Sequence, residues 1–368
     1  MKVAQFEPFI GAAEYAAIKE CFDKKWLTEG SKTQEFKDAL CDLIGVKYGV
    51  FAPNGTLALY LGLRALGIGP GDEVIVPDFT FIASANAVEM TGATPIFADI
   101  NLKDLQINVE GCAELLTSRT KAIMPVHIYG MAANMTKVMS FAKENNLLVI
   151  EDAAQALGVK WTGKNCGNFG DIACFSFFAD KTITTGEGGF VTTNNKKIYE
   201  KLCYLRNQGR LNRGTFKHPE IGYNFRITDI QSAIGLAQLK KMNTIISLKN
   251  KIHDSYCKQL EGVEEINIIK PTENVDPFIP FRVVLLTNGN SCGLMEYMKK
   301  HQIETRTFFF PLHKQPCYKN KYQNKTLVNS AEAYSRGVCL PSYPNLKKEE
   351  ISYVCKVIKS YYKKEGQP

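Results

Sequence analysis

Lys181 stands in FSFFADKTITTGEGGF, residues 175–190, past an apolar run that reads as a buried strand and before a Gly-Glu-Gly-Gly turn. A solvated lysine needs no such setting; a lysine that must reach a bound group does. Upstream, LLVIEDAAQA ends an apolar strand in Glu151-Asp152. A carboxylate there is costly unless it is paired or hydrogen-bonded. Two readings of Asp152 follow: a helix N-cap at a strand–helix junction, or a partner for a cationic ring nitrogen in a cleft. A third candidate is Asn54-Gly55-Thr56, in FAPNGTLALYL. It falls between a strand and a helix, where free N–H groups suit a phosphate. Gly55 permits close backbone approach and Thr56 adds a hydroxyl; a tight turn with a threonine cap is the plain alternative. No GKS or GKT follows, so it is not a Walker loop.

Each of these alone is weak. Together, a phosphate turn, an aspartate at a later strand end and a lysine after another strand form the order that pyridoxal phosphate needs. The lysine forms the Schiff base, and the aspartate keeps the pyridine nitrogen protonated so that the ring accepts electrons. Phe81, in PDFTFIAS, has two readings: core packing, or a ring stacked on a flat cofactor. His313, in FFFPLHKQPCY, has a substrate or proton-transfer reading beside a structural one. The glycines of GIGPGDEVIVP follow a helix and precede a strand, the reverse of a dinucleotide fingerprint, and read as a helix C-cap and turn.

These residues need a scaffold that brings strand ends together. Between residues 47 and 200, short apolar runs alternate with amphipathic ones. KYGVFAP, EVIVP, TPIFADI, KAIMPVHIYG, LLVIEDAA, IACFSFF and GGFVTTN read as strands; TLALYLGLRAL, IASANAVEM and NMTKVMSFAKEN read as helices. The alternation predicts an α/β fold with a mostly parallel sheet, which binds ligands at the carboxyl ends of its strands. From Thr228, helical periodicity persists for more than thirty residues. A smaller α/β region follows, with FIPFRVVLLT, GLMEYMKKHQ, IETRTFFFP and a last helix.

Composition narrows the class. The chain has 368 residues and a net charge of +8, with 22% charged and 45% hydrophobic residues, as in ordinary globular proteins. The C-terminal lysines alternate with apolar residues at helical spacing, so a solvated face is expected rather than a nucleic-acid partner. No run reaches the length of a membrane span, and the N-terminus lacks a signal-peptide core. Eleven cysteines without a CxxC pair argue against a disulfide framework and a metal site. The expected location is the cytoplasm.

The chain resembles the DegT/DnrJ/EryC1/StrS family of pyridoxal-phosphate sugar aminotransferases over nearly its whole length. The resemblance is carried by NGTLAL, GDEVIVPDFTFIASANAV, PVHIYG, EDAAQA, FSFFADK with GEGGF, GYNFRITDIQSAIG, FFPLH and LPSYP. It implies a PLP-dependent transferase of fold type I, aspartate aminotransferase-like. The large cofactor-binding domain is expected over 1–245 and a small C-terminal α/β domain over 246–368, in a homodimer with shared active sites. By motif position, Lys181 is the implied Schiff-base lysine, Asp152 the partner of the ring nitrogen and Gln155 a contact of the ring hydroxyl. Gly55, Thr56 and Ser176 are implied to hold the phosphate and Phe81 to stack on the ring. Asn224 is implied to reach the phosphate of the neighbouring subunit.

KTITTGEGG and TFIASANAV look most like the branch of the family that makes GDP-perosamine. That likeness implies transfer of the amino group of L-glutamate to C4 of a nucleoside-diphosphate-4-keto-6-deoxyhexose. Ala179-Asp180 replaces the Gly-Asn usual in that branch, which keeps UDP- or dTDP-linked 4-keto or 3-keto sugars open as substrates. A dehydratase, which carries histidine at the lysine position, and a non-catalytic regulator are the rival readings. The intact Lys181, Asp152 and Gln155 set disfavours both.

Overall fold

A computed structural model describes residues 1–210, 216–322 and 325–365. Thirteen strands lie among them: β1 Tyr48–Ala52, β2 Glu73–Pro77, β3 Thr94–Ala98, β4 Thr120–Ile123, β5 Leu148–Asp152, β6 Lys160–Trp161, β7 Lys164–Asn165, β8 Ile172–Ser176, β9 Gly189–Thr193, β10 Ile266–Ile268, β11 Val283–Thr287, β12 Arg306–Thr307 and β13 Gly337–Leu340. Seven form the central sheet, in the order β1-β9-β8-β5-β4-β2-β3. Only β9 runs against the others, pairing antiparallel with β1 and β8. Runs such as EVIVP are buried at every position because helices cover both faces of the sheet. One apolar layer contains Phe36, Leu40, Val138 and Phe175; the other contains Leu59, Leu63, Val88 and Leu202.

The second sheet has the order β10-β11-β13-β12 and is antiparallel throughout. Its own core joins Tyr256, Leu285, Met298 and Val354. A separate aromatic cluster, with Phe79, Tyr129, Phe281 and Phe308, packs the two sheets' regions against each other.

Several elements depart from the sequence reading. The helical stretch after Thr228 is two helices, Asp229–Lys240 and Met242–Gln259. The break falls at Lys241, which has non-helical backbone (φ −107°, ψ 9°) and whose ammonium lies 2.6 Å from Glu14. No glycine or proline marks the break, so periodicity alone cannot see it. KAIMPVHIYG is a strand only as far as Ile123; Tyr129 and Gly130 then adopt positive φ (56° and 83°) and turn the chain. IETRTFFFP keeps only the two residues of β12. The helices Ala12–Asp23 and Ser31–Ile44 carry no signal in that reading.

Candidate active site

A cavity of about 640 Å³ opens where β5 and β8 end and the helix after β1 begins. Arg282, Arg306 and Cys339 line it from the second sheet's region. The cavity therefore lies at the carboxyl ends of parallel strands, as the fold class dictates, between the central sheet and the second sheet's region.

Side-chain alternation along β5 separates the two neighbouring carboxylates. Glu151 is fully buried and accepts N–H bonds from Gly167, Phe169 and Gly170 at 2.7, 2.7 and 2.8 Å. His127 Nε2 lies 3.0 Å from the same carboxylate, while His127 Nδ1 accepts the Ala133 N–H. Glu151 thus ties a loop to the sheet and leaves nothing for chemistry. Asp152 lines the cavity. Its Oδ2 accepts the Ser84 hydroxyl at 2.7 Å and its Oδ1 accepts the Ala154 N–H at 3.1 Å. No helix begins after it, so the N-cap reading of Asp152 is wrong. Burial pushes its carboxyl above the usual range, against the hydrogen bonds and the nearby Lys181 charge.

The phosphate turn is built as an anion site. Asn54 caps the helix Gly55–Ala65 by accepting the Leu57 N–H at 3.0 Å, which makes asparagine, not Thr56, the cap. The first N–H groups of that helix are left for an anion. Ser176, at the end of β8, faces them. A Cβ on Gly55 would sit 2.9 Å from the Ser176 Cβ, so only glycine leaves the cradle open. The glycines after Lys181 serve the same turn: a Cβ on Gly189 would come within 2.2 Å of the Asn54 carbonyl oxygen.

Lys181 is carried on a turn five residues beyond the end of β8, not on the strand itself. Its Nζ lies 3.8 Å from Asp180 Oδ1 and 4.6 Å from the centre of the Phe281 ring. Burial pushes its amine below the usual lysine range; Asp180 and Asp152 oppose the shift and Arg282 adds to it. Gln155 accepts the Tyr129 N–H on Oε1 at 2.7 Å, which leaves its amide N–H₂ as the free donor. Phe81 is 58% exposed and lines the cavity, so the core-packing reading of this ring does not hold.

Two expected residues lie elsewhere. His313 is not among the residues lining the cavity. Its N–H donates to Asp78 Oδ1 and its Nδ1 lies 2.7 Å from Asp78 Oδ2. That pair pins the FFFPLH segment to the end of β2, the structural alternative for this histidine. Asn224 is exposed, accepts a 2.7 Å bond from Arg226 Nε and is not among the residues lining the cavity. The sequence reading missed Ser84, Arg282, Arg306 and Tyr129. Each enters from a distant segment, and only the HIYG turn carried a local signal.

The cavity presents an anion cradle, a buried carboxylate, an amine biased toward its neutral form and an aromatic face. Such a set defines an α/β enzyme of the aminotransferase class. The chain belongs to the DegT/DnrJ/EryC1/StrS aminotransferase family, whose match spans residues 8–359. It is 41% identical to a GDP-perosamine synthase of Escherichia coli O157:H7 over 361 residues, covering 97% of this chain and 98% of that protein. It is 37% identical to a GDP-perosamine synthase of Vibrio cholerae over 362 residues, with the same coverage. Among solved structures, Spr1654 of Streptococcus pneumoniae in its PLP form superimposes with a TM-score of 0.93 at 25% identity, over 99% of each chain. No helix among the described residues is long and apolar enough to cross a membrane.

Proposed function

We propose that the protein is a pyridoxal-phosphate-dependent aminotransferase that moves the amino group of L-glutamate to C4 of a nucleoside-diphosphate-4-keto-6-deoxyhexose. The observation that carries the reading is the convergence of Asp152, Lys181 and the Gly55–Ser176 cradle on one cavity. When bound, pyridoxal phosphate supplies an aldehyde that links to amines and a ring that withdraws electrons from the carbon bearing the amine.

The residues present fit that group. The N–H groups at Gly55 and Thr56, with the Thr56 and Ser176 hydroxyls, would hold the phosphate. Asp152 would pair with the ring nitrogen and keep it protonated, Gln155 would donate to the ring hydroxyl, and Phe81 would stack on the ring. Lys181 would be the residue that links to the cofactor's aldehyde. Its amine, lowered by burial, would be the group that takes the proton from the donor's Cα and hands it on. Overall, the amino group of L-glutamate would pass to the keto sugar and leave 2-oxoglutarate, the water taken up when the keto acid is released being given back when the sugar carbonyl is aminated.

The diphosphate supplies binding energy remote from the reacting carbon. The likeness to GDP-perosamine synthases supports GDP as the nucleotide and a 4-amino-4,6-dideoxyhexose as the product. Incubation of the enzyme with L-glutamate and separate GDP-, UDP- and dTDP-linked 4-keto-6-deoxyhexoses, with NMR of each product, tests the assignment. An amine at C4 of the GDP-linked sugar is expected. An amine at C3, or conversion of only a UDP- or dTDP-linked sugar, refutes the substrate and leaves the aminotransferase reading standing.

The exposed, outward placement of Asn224 supports a homodimer in which this residue completes the partner's phosphate site. Mixing Lys181→Ala with Asn224→Ala subunits should regenerate sites intact in both residues, and with them activity. Heterodimers that form and stay inactive would exclude the arrangement.

A further inference from the structure

Asp180 precedes Lys181 in the chain and puts a carboxylate where the GDP-perosamine branch usually has asparagine. Both residues line the main cavity and also a chamber of about 20 Å³, room for about one water. The Asp180 side chain is 10% exposed. Its Oδ2 accepts from Arg282 Nη2, but its Oδ1 is buried without a hydrogen-bond partner. A buried acceptor left unmet is costly, and a charged one more so. Lys181 Nζ lies 3.8 Å from that Oδ1, beyond hydrogen-bond reach. Among the described residues, Asp180 is still the one carboxylate in ion-pair range of Lys181.

Arg282, just before β11, is buried. Its Nη1 donates to Gln5 Oε1 at 3.1 Å, and Gln5 Nε2 donates to the Leu340 carbonyl at 3.4 Å. The guanidinium is thus held by the N-terminal segment and, through it, by the second sheet. It fixes Oδ2 and leaves Oδ1 for Lys181. The other charged groups nearby are engaged elsewhere. Asp152 accepts from Ser84 and Ala154. Lys249, on the helix Met242–Gln259, is 3% exposed, and its Nζ donates to the Phe281 carbonyl at 3.3 Å. Glu7, in the chamber wall, accepts the Asn345 amide at 3.0 Å. Glu187 and Arg306, in the cavity wall, are exposed.

We propose that Asp180 is a positioning residue for amino transfer: its free Oδ1 receives the Lys181 ammonium once that amine has taken a proton, and Arg282, by holding Oδ2, keeps Oδ1 in place for it. The proposal rests on the reading of Lys181 as the proton-carrying amine. A neutral amine gains little from Oδ1, whereas an ammonium brings a full charge and three donors. The contact therefore forms in the state that carries the proton and steadies Nζ between uptake and return. Arg282 limits its strength, because a carboxylate already paired on one oxygen attracts a second cation less. Burial pushes the Lys181 amine down, and Asp180, ahead of Asp152, opposes that shift.

The first test is trace acetylation of the cofactor-free protein with acetic anhydride across a pH series. Mass spectrometry reads Lys181 labelling against exposed lysines of the same chain. On the acidic side of the Lys181 titration, the isosteric Asp180→Asn should raise its labelling by about threefold or more, since one pKa unit is tenfold in free amine. Arg282→Met leaves the Asp180 charge unneutralised and should lower the labelling. Asp180→Glu keeps the charge and should not reproduce the rise. An unmoved profile in Asp180→Asn, or the same shift in the Asn and Glu variants, would overturn the proposal. The second test needs no variant. In a crystal structure of the cofactor-free protein on that acidic side, Nζ should close to about 3 Å from Oδ1. Nζ turned elsewhere, with an ordered water as the sole partner of Oδ1, would also overturn it. Both readouts concern the free amine of Lys181, so borohydride mapping of the cofactor-bearing lysine fails or succeeds independently.

Discussion

Replacing Lys181 by alanine is expected to lower kcat for amino transfer by at least about 10⁴-fold, the upper end of what a positioned acid–base group contributes. Two roles are lost at once: the covalent anchor and the proton carrier. The anion cradle and the Asp152 carboxylate remain, so the variant should still retain pyridoxal phosphate non-covalently. An added small amine should restore part of the proton transfer, because it supplies the missing base without the anchor. Kinetics with and without such an amine check this. Retained turnover near the level of the unaltered protein would mean that another group carries the proton.

Asp152→Asn is expected to lower kcat by about 10²–10³-fold, the range for loss of a preorganised electrostatic partner. The amide oxygen can still accept the Ala154 N–H while its N–H₂ donates to the Ser84 hydroxyl oxygen, reversing that bond, but it carries no charge to keep the ring nitrogen protonated. The same substitution has a stability consequence of opposite sign. The Asp152 carboxyl is raised in the folded protein, burial being the largest cause. Its contribution is therefore full below the unfolded pKa and is lost as pH rises through the folded one. At neutral pH the ionised group burdens the cofactor-free fold, so the Asn variant should melt at the same or a higher temperature. A large drop in both activity and cofactor-free Tm would instead assign Asp152 a mainly structural role.

Much of this site was legible in the sequence because its parts are anomalies against their surroundings. Asp152 ends an apolar strand, Gly55 opens a helix, and Lys181 follows another apolar run. Parallel strands gather such ends on one edge of a sheet, so the residues meet without long-range information. What stayed hidden has no local signature. Arg282 stands at the start of an ordinary apolar strand and Lys249 in an ordinary amphipathic helix; only tertiary packing brings both to Phe281. Ser84 reads as a small residue of a helix until its hydroxyl is found on Asp152. His313 shows the converse. Its aromatic, proline-rich setting suggested chemistry, yet Asp78 holds both its N–H and its Nδ1. The division at Lys241 was invisible for the same reason, since what holds that residue, Glu14, lies more than two hundred positions away.

The central claim is that Lys181 is the residue that carries the cofactor. The most direct measurement is borohydride reduction of the protein loaded with pyridoxal phosphate, followed by proteolysis and mass spectrometry of every lysine-containing peptide. The account predicts one stoichiometric pyridoxyl-phosphate adduct, on Lys181, and none on the neighbouring buried Lys249. A stoichiometric adduct on Lys249 or any other lysine, with Lys181 unmodified, would contradict it.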